Sequence, residues 1–302
     1  MGTPDFAVPS LETLHNHGYP ISAVVTAPDK PRGRGQQVSP TPIRQFASRA
    51  GLPVLQPESL KDPTFVERLK SLRPDIIVVV AFRILPPEVF TVPTLGSFNL
   101  HASLLPKYRG AAPINWAIMK GETETGVTTF MLREKVDTGG ILLQERVPIS
   151  PEDDAGTMHD NLAVVGARVV LDTVRLIEQG RAVQTPQDDS QATPAPKLFR
   201  EDCRINWDRP ATEIHNRVRG LSPSPTAFST HRGRVLKICK TQVLGSHARG
   251  SPGEVMISPQ ALYVSTRDRM LSVLELQQEG KKRMSIEEFL RGYRISSAER
   301  LE

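Results

Sequence analysis

An asparagine and a histidine lie two residues apart in the stretch FNLHASLLPKYRGAAP, residues 98–113. The residues around them predict a β-strand, in which side chains at i and i+2 project from one face, so Asn99 and His101 point the same way. An amide and an imidazole on one face can stabilise the oxyanion that forms when an amine attacks a carbonyl group. Taken alone, a core asparagine and a structural histidine, each bonded to the backbone, would be the commoner explanation.

A carboxylate follows the next predicted strand. Asp137 lies in the loop REKVDTGGIL, residues 133–142, which would reach the same crevice at the carboxyl ends of the strands. Bonded to His101, Asp137 would orient the ring and favour its protonated form. The competing interpretation is an Asx-turn before Thr138. With no nucleophilic Ser-His or Cys-His pair nearby, the three side chains predict direct transfer of an acyl group to nitrogen.

Four apolar or β-branched stretches predict the strands that carry these residues. They are ISAVVTA (21–27), DIIVVVA (75–81), SFNLHA (97–102) and TGVTTFML (125–132). Helical patterns alternate with them, with Thr41 and Asp62 as N-caps, and a long helix is expected over residues 157–180. This alternation predicts an open, Rossmann-like α/β fold with a mainly parallel sheet.

The composition changes after the long helix. The segment RAVQTPQDDSQATPAPKLFRED, residues 181–202, is rich in Pro, Gln, Ser and Asp and predicts a linker. Beyond it, one helical pattern and several short strands predict a small β-barrel. We therefore expect a catalytic domain over residues 1–180, a linker over residues 181–200 and an OB-like barrel domain over residues 201–302.

The charges are unevenly distributed. Residues 1–200 hold 21 Lys and Arg against 21 Asp and Glu, whereas residues 201–302 hold 17 against 12. A basic domain attracts polyanions such as nucleic acids, although a solvated basic face without a partner is an equally good interpretation. No apolar run is long enough to predict a membrane span. Two isolated cysteines, Cys203 and Cys239, and no leader pattern predict a reducing, cytoplasmic setting and no metal site.

Five segments together resemble the methionyl-tRNA formyltransferases over essentially the whole chain. They are GTPDFAVPSL (2–11), NLHASLLPKYRGAAPI (99–114), ETGVT (124–128), VDTGGIL (136–142) and GKKRMSIEEFLRG (280–292). The Asn-x-His-x-Ser-Leu-Leu-Pro core with Asp-Thr-Gly is specific to folate-dependent formyltransferases. The N-terminal and C-terminal segments then favour the tRNA enzymes among them.

The resemblance implies that 10-formyltetrahydrofolate is the donor, as a co-substrate without a metal, and that the amine of methionine on initiator tRNA is the acceptor. Asn99 and His101 would polarise the formyl oxygen and Asp137 would pair with His101. We expect a monomer. Folate would meet two loops, comprising Phe82, Arg83, Ile84, Leu85, Ser103, Leu104, Leu105 and Pro106. Initiator tRNA would meet Lys30, Arg32 and Arg34 of a basic loop, and Lys281 and Lys282 near the C-terminus.

Two features depart from the family pattern. The strand that normally precedes GTPDF is absent, so we expect a start upstream of Met1 and a gap in the sheet. Phe82 and Arg83 stand where relatives commonly have Tyr-Gly, and we expect Arg83 to assist folate binding at the glutamate tail.

Three alternative functions stay open. The same chemistry could serve another amine, such as a ribonucleotide amine or an amino-sugar nucleotide, although the basic C-terminal domain and Arg34 favour tRNA. The chain could be a non-catalytic RNA-binding module, although Asn99, His101 and Asp137 together argue against it. Hydrolysis of the formyl donor would release formate without an acceptor.

Overall fold

The computed structural model describes residues 1–32 and 37–302, which form two compact units. The first unit comprises residues 1–110, 124–148 and 159–195, and the second comprises residues 111–123, 149–158 and 196–302. Each unit therefore gathers separate stretches of the chain. Within the described ranges, no helix has the length and apolar character needed to cross a bilayer.

Short strands alternate with helices through the first 195 residues, as the sequence predicts. The strands are β1 (Val24–Val25), β2 (Lys30–Arg32), β3 (Gln37–Ser39), β4 (Val54–Leu55), β5 (Ile77–Val80), β6 (Ser97–His101), β7 (Arg109–Gly110), β8 (Glu124–Met131), β9 (Ile141–Pro148) and β10 (Pro194–Ala195). The helices are α1 (Val8–Asn16), α2 (Pro42–Arg49), α3 (Pro63–Ser71), α4 (Pro87–Phe90), α5 (Pro113–Met119) and α6 (Ala155–Glu178). Of these, α5 and the first turn of α6 belong to the second unit.

The predicted helix boundaries have the expected chemistry. The Thr41 side chain accepts a hydrogen bond from the Arg44 N–H (3.3 Å) at the start of α2, and Asp62 accepts one from the Thr64 N–H (2.9 Å) at the start of α3. A proline in the first turn of each helix follows these caps. The long helix α6 covers the predicted stretch and ends just before Gly180, whose φ of +64° cannot continue it.

The central sheet has the order β5-β6-β8-β9 and is mixed, which corrects the expectation of a mainly parallel sheet. β5 and β6 are parallel, with Val79 opposite Asn99, whereas β6–β8 and β8–β9 are antiparallel. The short loop 132–140 joins β8 to β9, and strands joined by so short a loop must run in opposite directions. Sequence patterns did not reveal β9, which is exposed at alternate positions along much of its length.

A gap separates β5 from the parallel pair β1 and β4. Residues 1–3 bridge only one end of it, where the Gly2 N–H donates to the Val25 carbonyl (3.0 Å) and the Val80 N–H donates to the Met1 carbonyl (2.9 Å). The rest of the gap is a largely apolar cavity of about 440 Å³. Its walls include Leu14, Val24, Leu69, Ile77, Val78 and Val174. The cavity lies where the sequence predicts a gap in the sheet.

The second unit is built on an antiparallel sheet. Its strands are β11 (Ala227–His231), β12 (Arg234–His247), β13 (Val255–Ser258), β14 (Ala261–Ser265), β15 (Arg269–Gln278) and β16 (Met284–Ser285), and its other helices are α7 (Ala211–Leu221) and α8 (Ile286–Gly292). The strand order is β11-β12-β15-β14-β13, with β16 beside β15. Leu236 and Ile238 of β12 are buried while Lys237 is exposed, so one face of the sheet covers the core.

In a chain that begins at Met1, the buried amino group makes stability depend on pH. The ammonium donates to the Val78 carbonyl (2.6 Å), and burial lowers its pKa from 8.0 to about 5. Between these values the unfolded chain binds more protons than the folded chain, so stability rises with pH. For protein that begins at Met1, we expect the free energy of unfolding to gain up to about 4 kcal/mol from this group between pH 5 and pH 8.

Chemical denaturation at several pH values measures this effect. Other groups also titrate in this range, so the control is the same chain with an acetylated N-terminus, which has no amine to protonate. The expected result is a steeper rise of stability with pH in the free-amine protein than in the acetylated one. Equal slopes for the two proteins would contradict the assignment.

Candidate active site

Strand β6 presents Asn99 and His101 on the face of the sheet away from α6. Phe98 and Leu100 are fully buried on the other face. There α6 approaches so closely that a Cβ at Gly166 would lie 2.6 Å from the Leu100 side chain. Asn99 is half-buried, and its carboxamide makes no hydrogen bond to another residue in the described part of the chain. Its N–H groups are therefore available to a substrate.

His101 is buried and its ring is held by the backbone. Its Nε2 lies 2.8 Å from the Tyr108 carbonyl oxygen. Because a carbonyl oxygen only accepts, Nε2 carries a hydrogen and donates it, which leaves Nδ1 as the ring nitrogen without a backbone partner. Nδ1 faces Asp137, with 3.8 Å between Nδ1 and Oδ2. One ring nitrogen is therefore held by the backbone, and the other faces the candidate site.

Asp137 lies beside His101, although the 3.8 Å between Nδ1 and Oδ2 is longer than the hydrogen bond expected from the sequence. Its side chain is only 10% exposed, and its Oδ2 accepts a hydrogen bond from the Gly110 N–H (2.9 Å). The residue has a φ of +55°, a left-handed conformation that is uncommon for an aspartate. Two residues later, a Cβ at Gly139 would lie 1.6 Å from the Met131 carbonyl oxygen, so only glycine fits at this point of the loop.

The loop after β6 is fixed by two polar side chains from the neighbouring strands. Thr128 Oγ1 donates to the Ser103 carbonyl (2.6 Å) and accepts from the Leu105 N–H (3.1 Å). Gln144 Nε2 donates to the Leu105 carbonyl (2.8 Å). Ser103 and Leu105 are buried, whereas Leu104 and Pro106 are partly exposed. The loop predicted to shape the rim of the site is therefore a rigid one.

The second loop predicted to meet folate, residues 82–85, divides into inward and outward residues. Leu85 is buried and Phe82 packs against the core of the first unit, but Ile84 is 74% exposed. Arg83 donates to the Pro57 carbonyl (2.8 Å) and the Glu58 carbonyl (2.9 Å). Its guanidinium thus ties residues 82–85 to residues 57–58, an arrangement that the sequence does not reveal.

The basic residues predicted to meet tRNA are only partly described. Lys30 is exposed at the start of β2. Arg32 is the last residue of β2, and only its backbone is described. Arg34 lies outside the described residues. The predicted loop contains a short antiparallel hairpin, β2–β3. Its base is anchored, since Gln56 Nε2 donates to Asp29 Oδ1 (2.9 Å) and to the Ala27 carbonyl (2.9 Å).

The remaining candidates lie in the second unit. Lys281 and Lys282 are exposed in the turn between β15 and β16. Burial raises the pKa of the Cys203 and Cys239 thiols, which makes both cysteines poor nucleophiles. In residues 1–32 and 37–302, no group of three His, Cys, Asp or Glu side chains is arranged to hold a metal.

Sequence reasoning missed the residues that support the site from outside it. Thr128, Gln144 and Gln187 each bond to the loops around His101 and Asp137, and Arg109 bonds to Gln187. Thr128 and Gln144 lie on adjacent strands, but no spacing along the chain connects Gln187 with Asp137. Its only signal is a glutamine in a segment that otherwise reads as a linker.

Comparison with known proteins supports the family resemblance that the sequence motifs indicate. Residues 1–174 match the family model described as "Formyl transferase", and residues 197–294 match that described as "Formyl transferase, C-terminal domain". A methionyl-tRNA formyltransferase from Porphyromonas gingivalis is 48% identical over 308 residues, which covers 98% of this chain and 95% of that protein. The chain belongs to the methionyl-tRNA formyltransferase family.

A second methionyl-tRNA formyltransferase, from Caldanaerobacter subterraneus subsp. tengcongensis, is also 48% identical and covers 98% of this chain and 96% of its own. Among solved structures, an N-formyltransferase from Helicobacter canadensis in complex with folinic acid and dTDP-3-aminofucose matches with a TM-score of 0.69. That match has 22% identity and covers 92% of this chain and 97% of the other, so it shows the shared fold. The resemblance stated from five sequence segments is confirmed.

Replacing Gly139 tests how tightly the Asp137 loop is built. In Gly139→Ala the new methyl group would collide with the Met131 carbonyl, so the loop must move and carry Asp137 with it. We expect formyl transfer to fall by a factor of about 10². The control is Gly245→Ala, where an added Cβ meets nothing within 4 Å. Equal activity of the two variants, measured as formyl transfer to methionyl-tRNA, would contradict the prediction.

Proposed function

We propose that this protein transfers the formyl group of 10-formyltetrahydrofolate to the amino group of methionine on initiator methionyl-tRNA, for translation initiation. Membership of the methionyl-tRNA formyltransferase family supports this activity and the folate donor. The observation that carries the catalytic assignment is the convergence of a free amide, an imidazole and a carboxylate. Asn99 and His101 share one face of β6, and Asp137 Oδ2 lies 3.8 Å from His101 Nδ1.

The chemistry assigned to these groups is direct attack. The methionine amine attacks the formyl carbon, and the formyl oxygen becomes an oxyanion. The Asn99 amide and the protonated Nδ1 of His101 donate hydrogen bonds to that oxygen. Asp137 stabilises the positive ring and helps to remove the proton that the amine loses. The intermediate then collapses with cleavage of the bond between the formyl carbon and N10 of the folate, which takes up a proton.

We propose that folate binds between the two loops assigned to it from the sequence, residues 82–85 and residues 103–106. The bonds from Thr128 and Gln144 support this by fixing the backbone of residues 103–105. Because Arg83 is bonded to the Pro57 and Glu58 carbonyls, its contribution to folate binding would be to hold its loop in place.

A basic face of the second unit supports the proposed contact with tRNA. Lys237 of β12 is exposed and lies opposite Phe228 of β11 and Gln277 of β15. Gln277 Nε2 donates to the Lys281 carbonyl (2.7 Å), and the Arg200 guanidinium lies 5.7 Å from the centre of the Phe228 ring. We propose that this basic face, Arg200, Lys237, Lys281 and Lys282, binds phosphates, while Lys30, Arg32 and Arg34 meet the acceptor stem.

The remaining expectations enter as parts of the same proposal. We infer a catalytic domain over residues 1–180, a linker over residues 181–200 and an OB-like barrel over residues 201–302; the antiparallel sheet of the second unit supports the barrel. We further infer a monomer that works in the cytoplasm, where translation supplies its acceptor.

Removing either donor to the oxyanion should slow the chemical step. We expect Asn99→Ala and His101→Ala to lower kcat by a factor of about 10² or more, because each removes a hydrogen bond made to the transition state. The KM for the folate donor should change much less. The measurement is formyl transfer from the donor to methionyl-tRNA, with elongator tRNA as a control acceptor. The control variant is Asn161→Ala, an exposed asparagine of α6, and unchanged kcat in Asn99→Ala would refute the role of the amide.

Neutralising the basic face should weaken tRNA binding and spare the chemistry. For the double variant Lys237→Gln and Lys281→Gln, we expect the KM for methionyl-tRNA to rise roughly tenfold at moderate salt. The slope of log KM against log salt should also fall, by about one for each phosphate that is no longer neutralised. The kcat at saturating tRNA should stay unchanged. Lys61→Gln, an exposed lysine of the first unit, is the control. A double variant with the KM and salt dependence of the control would show that this face does not meet tRNA.

A further inference from the structure

The backbone of Asp137 is held by a side chain from far along the sequence. Gln187 Nε2 donates hydrogen bonds to the Asp137 carbonyl (2.9 Å) and to the Gly139 carbonyl (2.8 Å). Gln187 Oε1 accepts two hydrogen bonds from Arg109, from Nε (3.1 Å) and Nη2 (2.7 Å). Both polar atoms of this side chain are therefore used, and both of its N–H donors are directed at the loop that carries Asp137.

The orientation of the Gln187 amide is fixed by its partners. A guanidinium only donates and carbonyl oxygens only accept, so the amide oxygen must face Arg109 and the amide nitrogen must face the loop. Arg109 is itself restrained, because its Nη2 also donates to Asp189 (2.7 Å) and its side chain is 14% exposed. The amide cannot turn over without breaking four hydrogen bonds.

Strand β7 holds Asp137 through two sets of hydrogen bonds. Gly110 N–H bonds to the carboxylate of Asp137, and Arg109, one residue earlier, holds the backbone of Asp137 through Gln187. The bonds to its carboxylate and to its backbone carbonyl keep Asp137 in its left-handed conformation, which costs roughly 1 kcal/mol or more for a residue other than glycine. A conformation of that kind persists only when the surroundings impose it.

We propose that Gln187, supported by Arg109, is a positioning residue for formyl transfer that holds Asp137 beside His101. This inference rests on the role proposed for Asp137 above. Gln187 touches neither substrate nor His101 in this scheme, and it acts only through the loop of residues 137–139. Loss of its two donated bonds frees two carbonyl groups and lets Asp137 leave the left-handed conformation, which moves its carboxylate away from His101 Nδ1.

The first test distinguishes the accepting oxygen of the Gln187 amide from its donating nitrogen. Gln187→Ala removes all four bonds, while Gln187→Glu keeps an acceptor for Arg109 and loses both donors to the loop. We expect both variants to lower kcat by about 10-fold to 100-fold, with KM for the folate donor and for methionyl-tRNA within about threefold of the original. The control is Gln191→Ala, a glutamine of the same segment whose side chain bonds to Asp188. Wild-type kcat in Gln187→Glu would overturn the inference.

The second test asks whether Gln187 works through Asp137. In a double-mutant cycle, Gln187→Ala should cost about 10-fold or more in the original protein and almost nothing in the Asp137→Ala background, because the group being positioned is already gone. A purely structural role would lower kcat by the same factor in both backgrounds, and that result would overturn the inference. The thermal midpoint of each variant, compared with that of Gln191→Ala, identifies loss of activity caused by unfolding.

The same cycle distinguishes failure of this inference from failure of the proposed function. If Asp137→Ala alone leaves kcat unchanged, the catalytic assignment of Asp137 is wrong and the inference falls with it. If Asp137→Ala lowers kcat but the cost of Gln187→Ala is additive, the assignment of Asp137 stands and only the positioning role is refuted.

Discussion

The hydrogen bonds of one short segment, residues 108–110, determine the geometry of the site. The Tyr108 carbonyl accepts from His101 Nε2, and the Gly110 N–H donates to the carboxylate of Asp137. The segment is itself held by residues 193–195, since the Arg109 N–H donates to the Thr193 carbonyl (2.9 Å) and a Cβ at Gly110 would lie 2.5 Å from the Ala195 carbonyl oxygen. The imidazole of His101 and the carboxylate of Asp137 are thus fixed to the same piece of backbone.

This arrangement decides what the imidazole can do. With Nε2 bonded to the Tyr108 carbonyl, Nδ1 is the ring nitrogen left to meet other groups, and it faces Asp137. At 3.8 Å the Asp137 carboxylate is too far from Nδ1 for a direct hydrogen bond, so Nδ1 stays open to another partner. In the mechanism proposed above, this nitrogen and the Asn99 amide both donate to the oxyanion, and they come from the same strand.

The sequence predicts side-chain positions correctly where they depend on the local period or the end of one helix or strand. Asn99 and His101 share a face because a strand alternates, and α2 begins after Thr41 because a hydroxyl caps a helix; both facts lie within a few residues of sequence. The prediction fails where partners are distant or elements are too short to show a period. Strand β7 has only two residues, and it pairs with β10 more than 80 residues later. The mixed sheet was missed for a similar reason, since the direction of β8 relative to β6 depends on the path of residues 102–123 rather than on the residues of β8 itself.

The segment that sequence composition marks as a linker shows why such failures concentrate near the site. Its Pro, Gln, Ser and Asp residues give no periodicity, but residues 181–195 belong to the first unit: Thr185 exchanges two backbone hydrogen bonds with Ile141, and Gln187 bonds to the carbonyls of Asp137 and Gly139. A segment that supports loops must satisfy carbonyl and N–H groups that no regular strand or helix pairs, and polar side chains do that. The same chemistry that makes residues 181–195 look unstructured in sequence is what lets them fix a left-handed aspartate beside a histidine.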